Sequence, residues 1–338
     1  MLSIIAVIAL ISAIIYQAPV DPASLQFGQR SDPESIQRLR NQYFLDKPFG
    51  LQVWYYLEDL SPLQWVRNAD VRLQNYHYRK MIMGAESMLI IKKPYLRKSY
   101  ASGEEVGSLI YEALPGTLWL GFSAFTFALC LGIGFGIFSA LYFDTWVDQF
   151  IVSTSVVFYS IPSYIAAILF ALIFAYYLGP WTGLPVQGSI YGLDDMGNEI
   201  IEWRKLWLPS IALGVRPVAM IAQMTRASLL EVMQEPFITT VKAKGVQKYS
   251  ILLKHIFPNA LNPIITTLSG WLASLLTGAF FVEYVFNFRG LGDLTIQGLS
   301  QFDVPLVLGC CVITVTIFIV VNTLVDIAYM ITDPRIKI

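Results

Sequence analysis

The chain has 338 residues, of which 55% are hydrophobic and only 14% are charged, whereas soluble domains carry about a quarter charged residues. Basic and acidic side chains nearly cancel, at a net charge of -1, which excludes a strongly basic surface for nucleic acid. The sequence also lacks a Gly-x-x-x-x-Gly-Lys-Ser/Thr motif, so the chain is not expected to bind ATP itself. This composition predicts a membrane protein. The apolar runs of helical length described next predict that it is all-α, and no carboxylate pair or Ser/His/Asp grouping sits at a spacing that indicates a catalytic centre.

Six apolar runs have lengths that approach or exceed what a helix needs to cross a bilayer. The first is the weakest, because it is short and has no Lys or Arg before it, and a cleaved signal peptide is the alternative there. The predicted organisation is a first membrane helix at 1–17, a long segment at 18–116 and a core at 117–338 with the other five spans. The runs cover residues 2–17, 117–142, 150–178, 206–232, 260–284 and 304–331.

Charge in the short connections predicts the orientation of these spans. The loop between the fourth and fifth spans carries four lysines, and the tail carries Arg335 and Lys337, whereas the loops at 179–205 and 285–303 are poor in basic residues. The positive-inside rule therefore places the lysine-bearing loop and both termini in the cytoplasm and the segment 18–116 outside. The histidines His77 and His255 then lie on opposite sides of the membrane, so the chain is predicted to hold no metal and no cofactor.

Glycine and proline mark the second and third spans. Gly132 and Gly136 form a small-xxx-small pair, which predicts close packing against another helix. In the third span, Ser160 and Pro162 predict a kink, because proline frees a backbone carbonyl that neighbours or water must satisfy. A kink without solute contact is favoured there, and a position on a translocation path is the alternative.

The fourth span contains Arg216, the most costly residue to place in hydrocarbon. Gln223 follows seven residues later, on the same helix face. One hypothesis is that Arg216 faces a translocation cavity and favours anionic or carboxylate-bearing solutes. Outward snorkelling or a structural pairing is an equal alternative.

The loop at 233–258 combines near-helical apolar spacing with lysines that cannot stay in the hydrocarbon. Gly245 is placed to end a short helix, and Pro258 marks the entry to the next span. A solvated cytoplasmic loop is the simpler interpretation, and a docking element for another protein is the alternative. The candidate docking residues are Glu235, Thr239, Thr240, Val241, Ala243, Gly245, Ile256 and Pro258.

After the fifth span, Glu283 precedes a glycine-rich stretch that contains Gly290 and Gly292. These glycines predict a tight re-entrant turn at the outer face of the membrane. In isolation the stretch is equally compatible with a simple interfacial loop.

Together these motifs resemble the dipeptide/oligopeptide group of ABC importer permeases. Thr239 to Gly245 resemble the family's "EAA" loop, although the first basic residue of that loop is Thr239 here, and Glu283 to Gly292 resemble its Glu-x-Val-Phe-x-x-x-Gly-Leu-Gly motif. The resemblance covers about 18–60 and 94–338 and is strongest from 206 onward. It implies a type I importer permease fold with a sizeable external segment between the first two helices.

The resemblance also implies a function in the bacterial inner membrane. The chain is expected to form the translocation path for peptides or related solutes together with a second, homologous permease subunit. Two cytoplasmic ATPase subunits would engage the lysine-bearing loop and use ATP, and a periplasmic or lipid-anchored solute-binding protein would deliver the solute. The family's solutes include dipeptides, oligopeptides, glutathione and nickel complexes, and the sequence does not choose among them.

Residues 66–92 form an insertion relative to usual members of that family. A solvated structural insert is the favoured interpretation, and contact with the external binding protein is the alternative. The runner-up for the whole chain is an ion-coupled secondary transporter or channel without ATPases, although the chain lacks the repeated halves that would indicate one. An intramembrane enzyme is a third, weaker interpretation.

Overall fold

The structure, a computed structural model, describes residues 46–67, 70–84, 86–193 and 196–332, with isolated positions 6, 8–10, 13, 37 and 40 before them. The chain divides into two compact units, one of residues 1–113 with 294–316 and one of residues 114–293 with 317–338.

The first unit combines one amphipathic helix with a small antiparallel sheet. Helix α1 (Phe49–Leu60) leads directly into strand β1 (Leu63–Arg67), and a 3-10 helix (Val71–Asn75) connects β1 to β2 (Tyr78–Met83) and β3 (Ser87–Lys92). The strand order is β1-β3-β2, with an irregularity in β2 between Lys80 and Ile82. Strands β2 and β3 lie in the predicted insertion and β1 begins just before it, so the expectation of an all-α protein was wrong for residues 63–92.

A buried carboxylate joins the sheet to α1. Asp59 accepts hydrogen bonds from the Tyr76 hydroxyl and from Arg97 Nε, the latter at 2.7 Å, and its backbone oxygen accepts one from the Lys92 ammonium. Burial lowers the pKa of Lys92 to about 8, as expected for an ammonium group withdrawn from water. Glu58 adds an ion pair to Arg72 at 2.6 Å. The sheet is therefore fixed on the helix through several polar contacts.

The remaining described helices comprise long, predominantly apolar ones and short connecting ones. Val106–Leu141 contains most of the second predicted span, Trp146–Ser160 with Ser163–Tyr177 corresponds to the third, and Arg204–Met233, Phe257–Phe286 and Val304–Thr332 correspond to the fourth, fifth and sixth. A short hairpin, β4 (Tyr191–Leu193) with β5 (Glu199–Ile201), precedes the helix Arg204–Met233. The helices are α2 (Val106–Leu141), α3 (Trp146–Ser160), α4 (Ser163–Phe170) continued by a π-helix (Ala171–Tyr177), α5 (Gly179–Thr182), α6 (Arg204–Met233), α7 (Pro236–Ala243), α8 (Lys248–Ile251) continued by a π-helix (Leu252–Ile256), α9 (Phe257–Phe286), α10 (Leu291–Ser300) and α11 (Val304–Thr332).

In the second unit, α2 and α6 run parallel in close contact. A Cβ atom added at Gly132 would lie 2.7 Å from Ile221 Cβ, and one added at Gly136 would lie 2.7 Å from the Ala222 carbonyl oxygen. Ser123 and Ser210 also share a hydrogen bond of 2.6 Å. The prediction that the Gly132–Gly136 pair packs against another helix is confirmed, because no larger side chain would fit at either position.

Within the described residues, three helices are long and apolar enough to cross a membrane, Val106–Leu141, Arg204–Met233 and Val304–Ile327, or four if α3 and its continuation count as one span. The second span was predicted from 117, but its helix begins at Val106, because the preceding turns are helical although less apolar. The first predicted span lies almost entirely outside the described residues. The count of six spans, the external position of 18–116 and the boundaries 1–17 and 117–338 stay predictions.

Candidate functional site

The lysine-bearing loop contains a short amphipathic helix, α7. Ile238 is fully buried and Val241 is partly buried, and both pack in an apolar cluster with Ala140 of α2 and Leu229 of α6. Thr240 and Ala243, on the opposite side of the helix, are exposed, and Phe237, which flanks Ile238, is 41% exposed. This helix therefore rests on the ends of two long helices and leaves an outward surface uncovered.

The structure divides the candidate docking residues into two groups. Val241 and the buried Ile256 face the apolar cluster, and the remainder are exposed. Pro258 lies in the first turn of α9, where proline is well tolerated because its missing N–H has no helical partner. The exposed candidates are Glu235, Thr239, Thr240, Ala243, Gly245 and Pro258.

Gly245 ends this helix by its backbone conformation. Its φ is +77°, and a Cβ atom added there would meet no atom within 4 Å. A glycine in the left-handed region after the last helical residue is a common helix stop. The predicted role of Gly245 in ending α7 is therefore confirmed, and the reason is conformation, since there is free space around it.

The loop with Glu283 differs from the turn at Gly245, because it is tightly packed around a buried side chain. The Glu283 side chain is fully buried, and its Oε2 accepts hydrogen bonds from the backbone N–H groups of Gly292, at 2.7 Å, and Asp293, at 3.2 Å. These N–H groups belong to the first turn of α10, where unpaired donors favour an anionic acceptor.

Neither glycine of this loop has room for a side chain. A Cβ atom added at Gly290 would lie 2.5 Å from Glu283 Cδ, and one added at Gly292 would lie 2.8 Å from Phe280 Cδ1. Thr117 Oγ1 accepts the Leu291 N–H at 2.7 Å and ties the same turn to α2. The structure thus brings Glu283, Gly290 and Gly292 together into one packed turn. A tight turn at these glycines was predicted, whereas its position at the outer face of the membrane stays a prediction.

The third predicted span is broken at Pro162. Helix α3 ends at Ser160, and the Ser163–Tyr177 segment leaves at an angle of 105°. Ser160 Oγ donates to the Val156 carbonyl oxygen at 2.8 Å, and both Ser160 and Pro162 are exposed. The predicted kink is confirmed, and it is larger than a bend within one helix.

Arg216 lies beside this break. Its guanidinium carbon is 5.5 Å from the ring centroid of Tyr159, the residue before Ser160, which is a favourable cation–π distance. Arg216 and Gln223 are both partly buried, and Arg216 Nε has no hydrogen-bond partner among the described residues. The structure therefore places Arg216 near the Ser160–Pro162 break, with Gln223 two turns further along α6.

One polar cluster of the second unit was missed from the sequence. Asp148 is buried and accepts two hydrogen bonds from Arg226, at 2.6 Å from Nε and 2.8 Å from Nη2. Ser139 Oγ and the Asp144 N–H donate to the same carboxylate. An acid at the start of one apolar run and an arginine late in another would have been the signal for this pair.

Two family models match the chain. The "binding-protein-dependent transport system inner membrane component" matches residues 132–338, and the N-terminal part of the same membrane component matches residues 1–121. No group of three or more potential metal-ligating side chains occurs in the part of the chain that was searched, the described residues.

Named relatives are similar to this chain over nearly its whole length. It is 33% identical over 321 residues to a putative peptide transport system permease protein of Brucella abortus, with 94% of this chain and 90% of the relative covered. It is 31% identical over 319 residues to the dipeptide transport system permease protein DppB of Bacillus subtilis, with the same coverage of 94% and 90%. It is 29% identical over 335 residues to the glutathione transport system permease protein GsiC of Pectobacterium atrosepticum, with 99% and 95% covered.

A solved structure shares the fold. The inward-facing MetNI methionine ABC transporter contains a chain that matches with a TM-score of 0.56 at 18% identity, over 67% of this chain and 97% of the other. At that identity the match shows the fold alone. The chain thus has a type I ABC importer permease fold over its matched part.

Proposed function

The chain belongs to the binding-protein-dependent transport system inner membrane components, and we propose that its lysine-bearing loop is the surface through which separate ATPase subunits drive it. The chain is the membrane permease subunit of an ABC importer of the peptide family. ATP is used by its partners, and we assign no cofactor and no catalytic residue to this chain.

The observation that carries this proposal is the amphipathic construction of α7. Ile238 and Val241 anchor the helix on α2 and α6, while Thr240 and Ala243 remain exposed on its other side and Phe237 is exposed beside the anchored side. An exposed apolar residue beside small ones, on a helix whose inner side is fixed, suits contact with a second protein. Movement of that partner would be passed to α2 and α6, because the anchor residues pack directly on them.

The test is retention of the ATPase subunits by the tagged permease. Phe237→Ala should reduce the amount of ATPase that co-purifies and lower ATP-driven uptake in proteoliposomes, with solute delivery by the binding protein unchanged. Phe318→Ala is the matched control, because Phe318 is 39% exposed against 41% for Phe237 and lies in the span helix α11. Full uptake by preparations that contain no ATPase would support the ion-coupled transporter or channel instead.

We further propose that Arg216, Gln223, Ser160 and Pro162 line the translocation path, and that the path carries peptides or similar small solutes with a carboxylate. A break in a span exposes backbone groups that are tolerated only inside protein or beside water, and Arg216 stands next to that break. A cation at such a position favours an anionic group on the solute.

This assignment predicts a change in selectivity. Arg216→Gln should reduce uptake of peptides with a free carboxylate relative to the same peptides as amides, whereas Arg216→Lys should keep the preference. Equal losses for both peptide forms, in complexes that assemble normally, would indicate a structural role for Arg216 and contradict the proposal.

The remaining assembly follows the family and is proposed for this chain: a second, homologous permease subunit, two ATPase subunits and a periplasmic or lipid-anchored solute-binding protein. Both termini and the loop 233–258 would face the cytoplasm, in the cell inner membrane. The external side would then hold the segment 18–116 and the turn of Glu283, Gly290 and Gly292.

A further inference from the structure

The sheet of the first unit has one buried side and one exposed apolar side. Val66, Met88 and Ile90 are buried in an apolar cluster with Tyr76. On the other side of the sheet, Trp65 and Ile82 both pair in register with Leu89 and are 58% and 54% exposed. The paired residues Leu63 and Ile91 are 51% and 43% exposed. We name the exposed residues Leu63, Trp65, Ile82 and Ile91 the apolar sheet face.

Basic side chains surround this face. Arg67 continues the β1 alternation beside Trp65, and Arg79 pairs in register with Ile91, so both share its side of the sheet. Lys80 and Lys93 are also exposed, and among the described residues of 63–93 the one exposed acid is Glu86, in the turn between β2 and β3. The surface therefore combines a tryptophan and aliphatic side chains with an excess of positive charge.

The sheet is held rigidly on α1, and α1 lies along a helix that can cross a membrane. Tyr56 of α1 is buried in one apolar cluster with Leu308 and Val312 of α11. These two residues lie one and two turns into α11, about 6 and 12 Å from its start at 1.5 Å per residue. On the side of α1 away from this contact, Trp54 is 57% exposed.

We propose that the apolar sheet face and Trp54 rest on the phospholipid surface, with a preference for anionic lipids. Trp and aliphatic side chains partition to the boundary of headgroups and acyl chains, and nearby Lys and Arg are attracted to anionic headgroups. A lipid surface is favoured over a protein partner because α1, which carries the sheet, packs against the first turns of a span helix and so lies at the level of the interface. This proposal requires only that α11 crosses the membrane, and it is independent of the transported solute.

Spin labels can test the contact in the assembled importer. Cysteines would be placed at Trp65→Cys and Ile82→Cys in a chain whose Cys130, Cys310 and Cys311 are replaced by alanine, in discs of phosphatidylethanolamine and phosphatidylglycerol. Labels on the lipid surface should collide more often with oxygen than with a water-soluble nickel chelate. Gln74→Cys is the control, because Gln74 is exposed on the 3-10 helix of the same unit, and its label should collide more often with the nickel chelate.

The same discs distinguish the other occupants of this face. Replacing Arg67 and Arg79 by glutamate should raise nickel accessibility at 65 and 82 in anionic discs and change it little in phosphatidylcholine discs. Water-accessible labels at 65 and 82 in anionic discs would overturn the proposal, and so would burial that appears only when the binding protein is added. If the cysteine-free chain does not assemble, the proposal predicts that acyl chains carrying bromine quench wild-type fluorescence more than that of Trp65→Phe; equal quenching would overturn it.

Discussion

Two glycine-containing turns of the second unit show how one residue type meets two different physical needs. Gly245 has a φ of +77° and no atom within 4 Å of an added Cβ. Gly292 does not have a φ in the left-handed region, but an added Cβ would lie 2.9 Å from the buried Glu283 Oε2. Gly245 supplies a backbone conformation, whereas Gly292 supplies space.

The difference indicates how each region works. The turn with Glu283 is closed around its own carboxylate and has no room for a larger side chain, so it is suited to hold residues 283–293 in one conformation. The turn at Gly245 is open on its outer side, so a partner can approach it, and α7 is fixed only from within by Ile238 and Val241. Substitutions at the two sites should therefore fail in different ways.

The largest effect is expected for Gly292→Ala. Overpacking a closed site costs about 1–3 kcal/mol and occasionally more. The added methyl group would overlap both Glu283 and the backbone of Phe280 here, so we expect a cost at or above the upper end of that range. We expect little assembled permease and a markedly lower melting temperature by tryptophan fluorescence. Gly134→Ala is the matched control, because Gly134 lies in helix α2 and an added Cβ there would meet no atom within 4 Å. A stable Gly292→Ala permease would contradict the conclusion that this turn has no room for an added methyl group.

A smaller loss is expected when the Asp148–Arg226 pair is weakened. Arg226→Lys keeps the charge but removes the paired N–H geometry. Breaking a buried pair costs about 3–5 kcal/mol, and because a quarter of the Arg226 side chain is exposed we expect about 2 kcal/mol. The measurement is a double-mutant cycle of chemical unfolding with Asp148→Asn.

The cycle also tests whether the packing of α3 on α6 depends on polar contacts as strongly as the Glu283 turn does. Additive single-mutant costs would show that the pair contributes no coupling between α3 and α6. Arg67→Lys, at an exposed position of the other unit, should leave stability unchanged.

The sequence was most informative where local chemistry decides the structure. The helix stop at Gly245 and the break at Pro162 follow from glycine or proline acting on the backbone itself. The turn at Gly290 and Gly292 was also predicted, but these glycines are needed there for space. The close packing at Gly132 and Gly136 followed from their spacing.

Features that depend on long-range pairing were not predicted. The strands at 63–92 were missed because they contain no apolar run of helical length. An edge strand such as Tyr78–Met83 also shows only weak alternation of apolar and polar residues. Asp148 and Arg226 are 78 residues apart, so their pairing depends on how α3 and α6 pack. The identity of the solute is not encoded in any of these local signals.

The smallest effect separates the two explanations for Gly245. If conformation alone is required, Gly245→Ala should cost about 1–2 kcal/mol, the penalty for a residue with Cβ in the left-handed region, and Gly245→Asn should cost less because asparagine tolerates that conformation. ATPase retention by the tagged permease should then fall more for alanine than for asparagine. Asparagine has the larger side chain. If it reduces retention more than alanine does, the open space around Gly245 is needed by the partner. Gly245 would then be required for space in the assembled importer, as Gly292 is.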